Sequence, residues 1–269
     1  MIIVTLTKNS DKTIKDTAES ISRQNNNGDI IWYVVDDDST DQTINIIKSY
    51  NINTKVIKGP NKGVFFAYNF IIEYLKEEKI DDIVFFLHSD DIIYDDYVLE
   101  DVQKIFNKFK IESLFANIAY FNNDASKIFR YWNSNFKKKQ ILIENKLYKL
   151  KEFMTKDLIT GWMFPHNSFF FHSSILNKIP EYSLDYPVCS DYHWSLKILL
   201  NKKFEFYFYN RYIIKMRYGG MSTTYKNILR QQLYDFKVIK DFFYLKHKSY
   251  LLCILTFFGK KIRKIKQFF

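Results

Sequence analysis

Two short apolar runs in this chain break abruptly into carboxylates. Ile30 to Val35 reads Ile-Ile-Trp-Tyr-Val-Val and runs into Asp36-Asp37-Asp38-Ser39-Thr40-Asp41; Ile83 to Leu87 runs into His88-Ser89-Asp90-Asp91. Runs of this length, rich in β-branched and aromatic residues, predict buried strands. A helical stripe follows each: Ile44, Ile47 and Tyr50 after the first, and Val98, Val102, Ile105 and Phe109 after the second. The same alternation links Ile2 to Leu6 with Ile14, Ala18 and Ile21. It also links Lys55 to Ile57, through the turn Gly59-Pro60-Asn61-Lys62-Gly63, with Ala67, Ile71 and Leu75. Strands alternating with helices build a parallel sheet with right-handed crossovers. Ligands of such sheets bind beyond the carboxyl ends of the strands, which is where both acid clusters fall.

After residue 113 the pattern changes. Strand-like runs are predicted at Leu114 to Phe121, Lys127 to Trp132, Asn167 to Phe171, Phe204 to Phe208 and Tyr212 to Met216, with a helix at Asp191 to Leu200 carrying Trp194, Ile198 and Leu199 on its apolar face. The 269 residues divide into one domain over 1–225, with halves at 1–112 and 113–225, and an extension over 226–269. Hydrophobic residues at 47% exclude a mostly disordered chain, and Gly 7 with Pro 4 excludes collagen-like or low-complexity repeats. Cys189 and Cys253 show no metal spacing and suggest a reducing, cytoplasmic setting. The N-terminus reads as a strand, not a signal peptide. The longest apolar stretch, Tyr250 to Phe258, is far short of a membrane span.

The net charge of +10 is local. Residues 226–269 hold eleven Lys and Arg against Asp235 and Asp241, so nine of the ten charges sit there. Phe242, Phe243, Tyr244, the run from Tyr250 and Phe257-Phe258 lie beside the lysines. Apolar side chains next to a Lys cluster suit an anionic membrane surface; the other reading is a terminal helix packed on the body with a solvated basic end. The body has no basic stripe, so nucleic acid is not an expected partner.

Carboxylates gathered at strand ends repel one another and persist where a divalent metal or a donor-rich ligand offsets the cost. Asp90 and Asp91 suit a metal whose remaining ligands come from a diphosphate, and Asp36 and Asp37 suit a nucleobase imide or ribose hydroxyls. Asp, Ser and Thr also favour turns and helix caps, so either cluster alone has a plain structural reading. Two clusters at adjacent strand ends favour a site.

Taken together, these features resemble a family 2 glycosyltransferase of the bacterial cell-surface polysaccharide type. The resemblance rests on Thr5 to Asn9, Val34 to Thr43, Asn61-Lys62-Gly63 with Ala67 and Asn69, and Phe86 to Asp91. It continues through Pro165-His166-Asn167-Ser168, Ser190-Asp191-Tyr192 and Gly219-Gly220-Met221-Ser222, and covers about residues 1–222. It implies an α/β, Rossmann-like nucleotide-diphospho-sugar transferase (GT-A) fold: a mostly parallel central sheet flanked by helices, followed by a basic helical C-terminal extension. Residues 1–112 become the nucleotide-binding half and 113–225 the acceptor-binding half.

The resemblance implies that Thr5, Asn9, Asp36, Asp37, Asn61, Lys62, Ser89 and Asp90 bind the donor. Asp90, supported by Asp91, takes a divalent Mn²⁺ or Mg²⁺, and Asp191 is the catalytic base. Trp162, His166, Gly219 and Gly220 fall on the acceptor or phosphate side; core packing for Trp162 and Trp194, a structural role for His166, and a structural or acceptor-lining role for His193 stay open. His88 stands where the family commonly has Asp, and Asp38 where it often has Gly. The implied activity is inverting, metal-dependent transfer of a hexose or N-acetylhexosamine from a UDP-sugar to a saccharide or lipid-linked acceptor of the lipopolysaccharide or capsule type, at the inner face of the cell membrane. Two alternatives remain at this stage. A sugar-nucleotide nucleotidyltransferase needs a Gly-rich basic loop after the first strand, which Thr5 to Asn9 lacks. A non-catalytic nucleotide- or glycan-binding subunit would not need Asp90 and Asp191.

Overall fold

A computed structural model of the chain describes all residues except 26, 123, 134–145, 151–157, 202–203, 220–224, 245–246 and 267–269. The first half alternates as its sequence predicts: β1 (Ile2–Thr7), α1 (Ile14–Ser22), β2 (Ile31–Asp36), α2 (Thr43–Lys48), β3 (Asn53–Lys58), α3 (Val64–Glu77), β4 (Ile83–Phe86), β5 (Ile92–Ile93) and α4 (Val98–Phe109). The second half adds β6 (Ser113–Phe121), β7 (Ile128–Trp132), β8 (Leu147–Leu150), β9 (Phe170–His172), α5 (Ser190–Leu200), β10 (Phe206–Arg217), α6 (Tyr225–Ile239) and α7 (Tyr250–Lys266).

The strands form one sheet in the order β3-β2-β1-β4-β9-β6-β10-β5, with β7 on β6 and β8 on β10. Strands β3, β2, β1 and β4 are parallel, so their carboxyl ends share one edge. Beyond β4 the sheet is mixed: β9 runs antiparallel to β4 and β6, while β6 and β10 are parallel.

Alternation along β1 and β2 explains why the sheet needs helices on both sides. Ile2, Val4, Tyr33 and Val35 join one core with Ala67, Ile71 and Leu75 of α3 and Trp194 and Ile198 of α5. Ile3, Trp32 and Val34 join the other with Ile14, Ala18 and Ile21 of α1, Ile47 of α2 and Val102 and Phe106 of α4. The first core also takes Val238, Ile239 and Cys253, so the C-terminal helices pack on the α3 and α5 side. Both cysteines are buried and free. No helix among the described residues is long and apolar enough to cross a membrane.

Two details depart from expectation. The segment expected as a strand from Asn167 begins as a 3-10 turn, His166–Ser168, with β9 starting at Phe170. Pro165 starts that turn, because its carbonyl accepts both the backbone N–H and the hydroxyl of Ser168. The two strands expected at Phe204 to Phe208 and Tyr212 to Met216 are one, β10, whose register on β6 shifts between Tyr209 and Ile214.

Candidate active site

The loops leaving the four parallel strands are tied to one another. After β1, Asn9 accepts from the Thr40 N–H at 2.8 Å, and its own N–H donates to the Ser39 hydroxyl at 2.9 Å. The Ser10 and Ser89 hydroxyls meet at 3.0 Å, linking the β1 end to the β4 end. After β2, Asp37 accepts from the Asn61 N–H at 3.0 Å. Gly59 passes so close that a Cβ there would lie 2.1 Å from Asp37 Oδ1, so no larger residue fits unless the carboxylate moves. Asn9, Asp38 and Asn61 all adopt left-handed backbone, φ 51°, 60° and 51°. Short polar side chains tolerate that region, and Asp38 thereby takes the conformation that glycine adopts freely.

The expected donor residues divide along this edge. Asp36 is half-buried, with both oxygens accepting from the Ser39 N–H. Lys62 is exposed beside Asn61, whose side-chain Oδ1 accepts from Lys8 Nζ at 2.6 Å. Thr5 lies beneath them. Its side chain is fully buried and its hydroxyl accepts from the Trp32 indole at 2.9 Å, so it supports β1 beneath the edge.

At the end of β4, His88, Asp90 and Asp91 each bring a ligand atom within 4.8 Å of the others. Asp91 is fully buried. Its Oδ1 accepts from the Arg217 N–H at 3.0 Å, and its Oδ2 from Asn167 Nδ2 at 2.9 Å, with His88 Nδ1 at 3.2 Å. The second imidazole nitrogen of His88 meets the Tyr68 hydroxyl at 3.1 Å. Burial disfavours the charged ring, but the Asp91 hydrogen bond and charge, then Asp90 and Asp191, outweigh it and raise the His88 pKa to about 9. Asp90 is half-buried; burial first, then the Asp91 charge, push its carboxyl above the ordinary range, with His88 and Arg217 opposing. A carboxylate held up by a neighbour's charge is where a cation is stabilising, and carboxylate oxygens suit a hard divalent ion. Within the cluster Asp90 is therefore the half-buried carboxylate that fits a metal, with protonated His88 and the hydrogen-bonded Asp91 behind it.

Asp191 lies in the first turn of α5. The capping position is Cys189, and Asp191 Oδ1 accepts from the Tyr192 N–H at 2.8 Å, so Asp191 is a first-turn acid and not the cap. Burial raises its pKa; Lys260, the Tyr192 N–H and His88 oppose that, while Asp235 adds to it. The link from Asp191 to the β4 cluster is aromatic. Tyr68 stacks on Tyr182 at 4.6 Å, and Tyr182 stacks on Trp194 of α5 at 5.0 Å with rings 4° from parallel. The Tyr68 hydroxyl is held protonated by burial and then by the charges of Asp191, Asp91 and Asp90. The three carboxylates therefore share one electrostatic neighbourhood around Tyr68 and His88.

Sequence reasoning missed Tyr68, Tyr182 and Arg217. Tyr68 directly follows Ala67 of the helical stripe, so its place in the chain was the available signal; nothing in the sequence marks the other two. The expected acceptor-side residues are mostly internal. Trp162 is buried against Phe115. His166 is buried against Tyr68, Tyr182 and Trp194 and hydrogen-bonded to the Tyr182 hydroxyl; burial, then the His88 charge, lower its pKa to about 3, so it is neutral. His193 stacks on Tyr186 at 4.6 Å. Gly219 turns the chain after β10 with φ 125°; Gly220, Met221 and Ser222 lie outside the described residues. A separate cleft of about 380 Å³, lined by Asp81, Lys110, Glu112 and His172 among others, sits at the amino end of β4, opposite this edge.

A sheet covered on both faces, with carboxylates and tied loops along the carboxyl edge of its parallel strands, defines an α/β protein built to hold a polar ligand at that edge. The chain belongs to glycosyl transferase family 2, which it matches over residues 2–178. Its fold is similar to that of S. aureus TarS 1–349 in complex with UDP (17% identity, 89% of this chain, 65% of that one, TM-score 0.57). It is similar as well to the same protein in complex with UDP-GlcNAc (19%, 89%, 66%, 0.57). A third similar structure is the mannosyltransferase PcManGT from Pyrobaculum calidifontis in complex with GDP-Man and Mn²⁺ (11%, 99%, 70%, 0.56). The chain spans just under two thirds of the length of the first two. No curated protein matches it in sequence.

Proposed function

We propose that this protein is an inverting glycosyltransferase that moves a hexose or N-acetylhexosamine from a UDP-sugar to a saccharide or lipid-linked saccharide of the lipopolysaccharide or capsule type. The observation that carries the reading is geometric: Asp90 sits with His88 and Asp91 at the carboxyl end of β4, His88 meets the Tyr68 hydroxyl, and the Tyr68–Tyr182–Trp194 stack runs from there to α5, the helix that carries Asp191. Family membership and similar folds bound to UDP, UDP-GlcNAc and GDP-Man support a sugar-nucleotide donor.

In this reading Asp36 and Asp37 receive the nucleoside, with the Asn9, Asn61, Lys62 and Ser89 loops around them. A divalent ion held by Asp90, with His88 and Asp91 behind, would offset negative charge on the leaving diphosphate. Asp191 accepts the proton of the acceptor hydroxyl. The acceptor oxygen bonds to the anomeric carbon as the bond from that carbon to the diphosphate oxygen breaks, and the electron pair leaves with UDP. One displacement inverts the anomeric centre.

The C-terminal helices favour a lipid-linked acceptor at an anionic inner membrane face. Leu251, Ile254, Leu255, Phe258, Ile262 and Ile265 form one exposed stripe along α7 at helical spacing, on a helix that also carries four lysines and Arg263. A thermal-shift screen of UDP- and GDP-sugars, with Mn²⁺ or with chelator, tests the donor: stabilisation by a UDP-sugar is expected to exceed that by GDP-sugars and to grow with metal. Release of UDP on addition of acceptor separates an enzyme from a non-catalytic binding subunit.

A further inference from the structure

The C-terminal helix reaches Tyr192, the residue beside the candidate base. α7 lies directly on the turn before the aromatic core: a Cβ at Gly161 (φ 73°) would fall 2.2 Å from the Lys260 nitrogen, and one at Gly259 would fall 2.6 Å from the Thr160 carbonyl oxygen. Arg263 ties the same place, donating from Nε to the Thr160 carbonyl at 3.1 Å and from Nη2 to its hydroxyl at 2.7 Å. Seated there, Lys260 places Nζ 2.7 Å from Asp235 Oδ1 of α6 and 3.4 Å from the centre of the Tyr192 ring. Asp235 is buried, with Lys261 3.6 Å from its other oxygen. Tyr192 is the neighbour of Asp191 on α5 and donates its N–H to that carboxylate. The Tyr192 hydroxyl has no hydrogen-bond partner among the described residues, so the ring is held by packing and by the ammonium over its face.

We infer that α7 is a working part of the active centre and that Lys260 is a positioning residue for Asp191, fixing the first turn of α5 through Tyr192 and placing a positive charge behind the base. The inference rests on the assignment of Asp191 as base. The opposite face of α7 carries the exposed apolar stripe, so one helix serves both the proposed membrane surface and the reaction centre. The groups whose charges or titration couple to Asp191 are His88 at the end of β4, Tyr68 on α3, Tyr120 on β6, Tyr182 before α5, Cys189 at its cap, Asp235 on α6 and Lys260 on α7. Burial pushes the Asp191 carboxyl towards its neutral form, Lys260 is the largest opposing influence, and Asp235 works with burial.

The test is titration of the Asp191 side-chain carboxyl by NMR in the full chain, labelled with ¹³C at the aspartate carboxyl and assigned by the signal lost in Asp191→Asn. Lys260→Met is expected to move the Asp191 midpoint up by about one pH unit, and Lys260→Arg to restore it. Asp235→Asn is expected to move it down. A residue that served packing alone would not shift the midpoint in opposite directions for the two partners. An unmoved midpoint in Lys260→Met, or one that Lys260→Arg fails to bring back, overturns the inference. If Lys260→Met does not fold, as read by its thermal melt, an unmoved midpoint in Asp235→Asn overturns it alone. Failure of the base assignment reads differently: Asp191→Asn would retain full transfer whatever the titration shows.

Discussion

His88 Nδ1 lies 3.2 Å from Asp91 Oδ2, so the imidazole at the head of the β4 motif holds the last carboxylate of that motif. Asp91 is saturated by His88, Asn167 and Arg217, whereas Asp90 is half-buried and raised first by that burial and then by its neighbour's charge. The two adjacent acids should therefore fail differently. Asp91→Asn turns an amide N–H₂ towards existing donors inside a sealed site and is expected to cost about 3 kcal/mol of stability. Asp90→Asn should change the melting temperature little and abolish the metal-dependent part of donor stabilisation. Melts with and without Mn²⁺ and UDP-sugar separate the two effects.

The same pair predicts a pH dependence. The His88 pKa is about 9 in the folded protein, above the unfolded value of about 6.5. A raised folded pKa means that the native state binds the proton more tightly. The resulting stabilisation is complete below about pH 6.5 and is lost as pH rises through about 9. Urea midpoints of chelator-treated protein should fall across that window. His88→Gln should flatten that part of the profile; an equally steep fall in the variant would remove His88 as its source.

Much of the first half was legible because local and global signals agree there. Ile2 to Leu6, Ile30 to Val35 and Ile83 to Leu87 alternate with helical stripes, and that alternation sets a parallel sheet whose carboxyl edge carries Asp36, Asp37, Asp90 and Asp91. The second half was less legible because its strands pair across long separations. Phe170 and Phe171 read as a strand, but nothing local says that they insert between β4 and β6 in the opposite direction. Thr5 illustrates the limit for single residues. It lies in the right strand, but alternation turns its hydroxyl into the core, onto Trp32. The Tyr68–Tyr182–Trp194 stack was invisible for a related reason: three aromatics far apart in a chain with 26 Phe and 20 Tyr carry no individual signal.

Asp191→Asn tests the base. The amide keeps the carbonyl oxygen that accepts from the Tyr192 N–H but cannot take a proton from the acceptor. Transfer is expected to fall by about 10²–10⁴ fold, the usual worth of a positioned general base. Donor affinity, read by thermal shift with the stabilising UDP-sugar, should stay within a factor of a few. Normal turnover in this variant would place the proton acceptor elsewhere.

The α7 stripe predicts membrane binding that can be removed without unfolding. Deleting the whole extension is the wrong test, because Cys253, Thr256 and Lys260 face inward and the helix backbone closes on Thr160 and Gly161. Leu251, Leu255 and Phe258 face outward at 65%, 55% and 58% exposure. Each would bury roughly half of a side chain in a headgroup layer, on the order of 1 kcal/mol apiece. The triple serine variant should therefore bind anionic vesicles about a hundredfold more weakly in co-sedimentation while keeping its melting temperature. Binding by the native protein should also weaken as salt screens the lysines. Undiminished vesicle binding by the triple variant would mean that this stripe does not meet the lipid, and an acceptor in solution would become the better expectation.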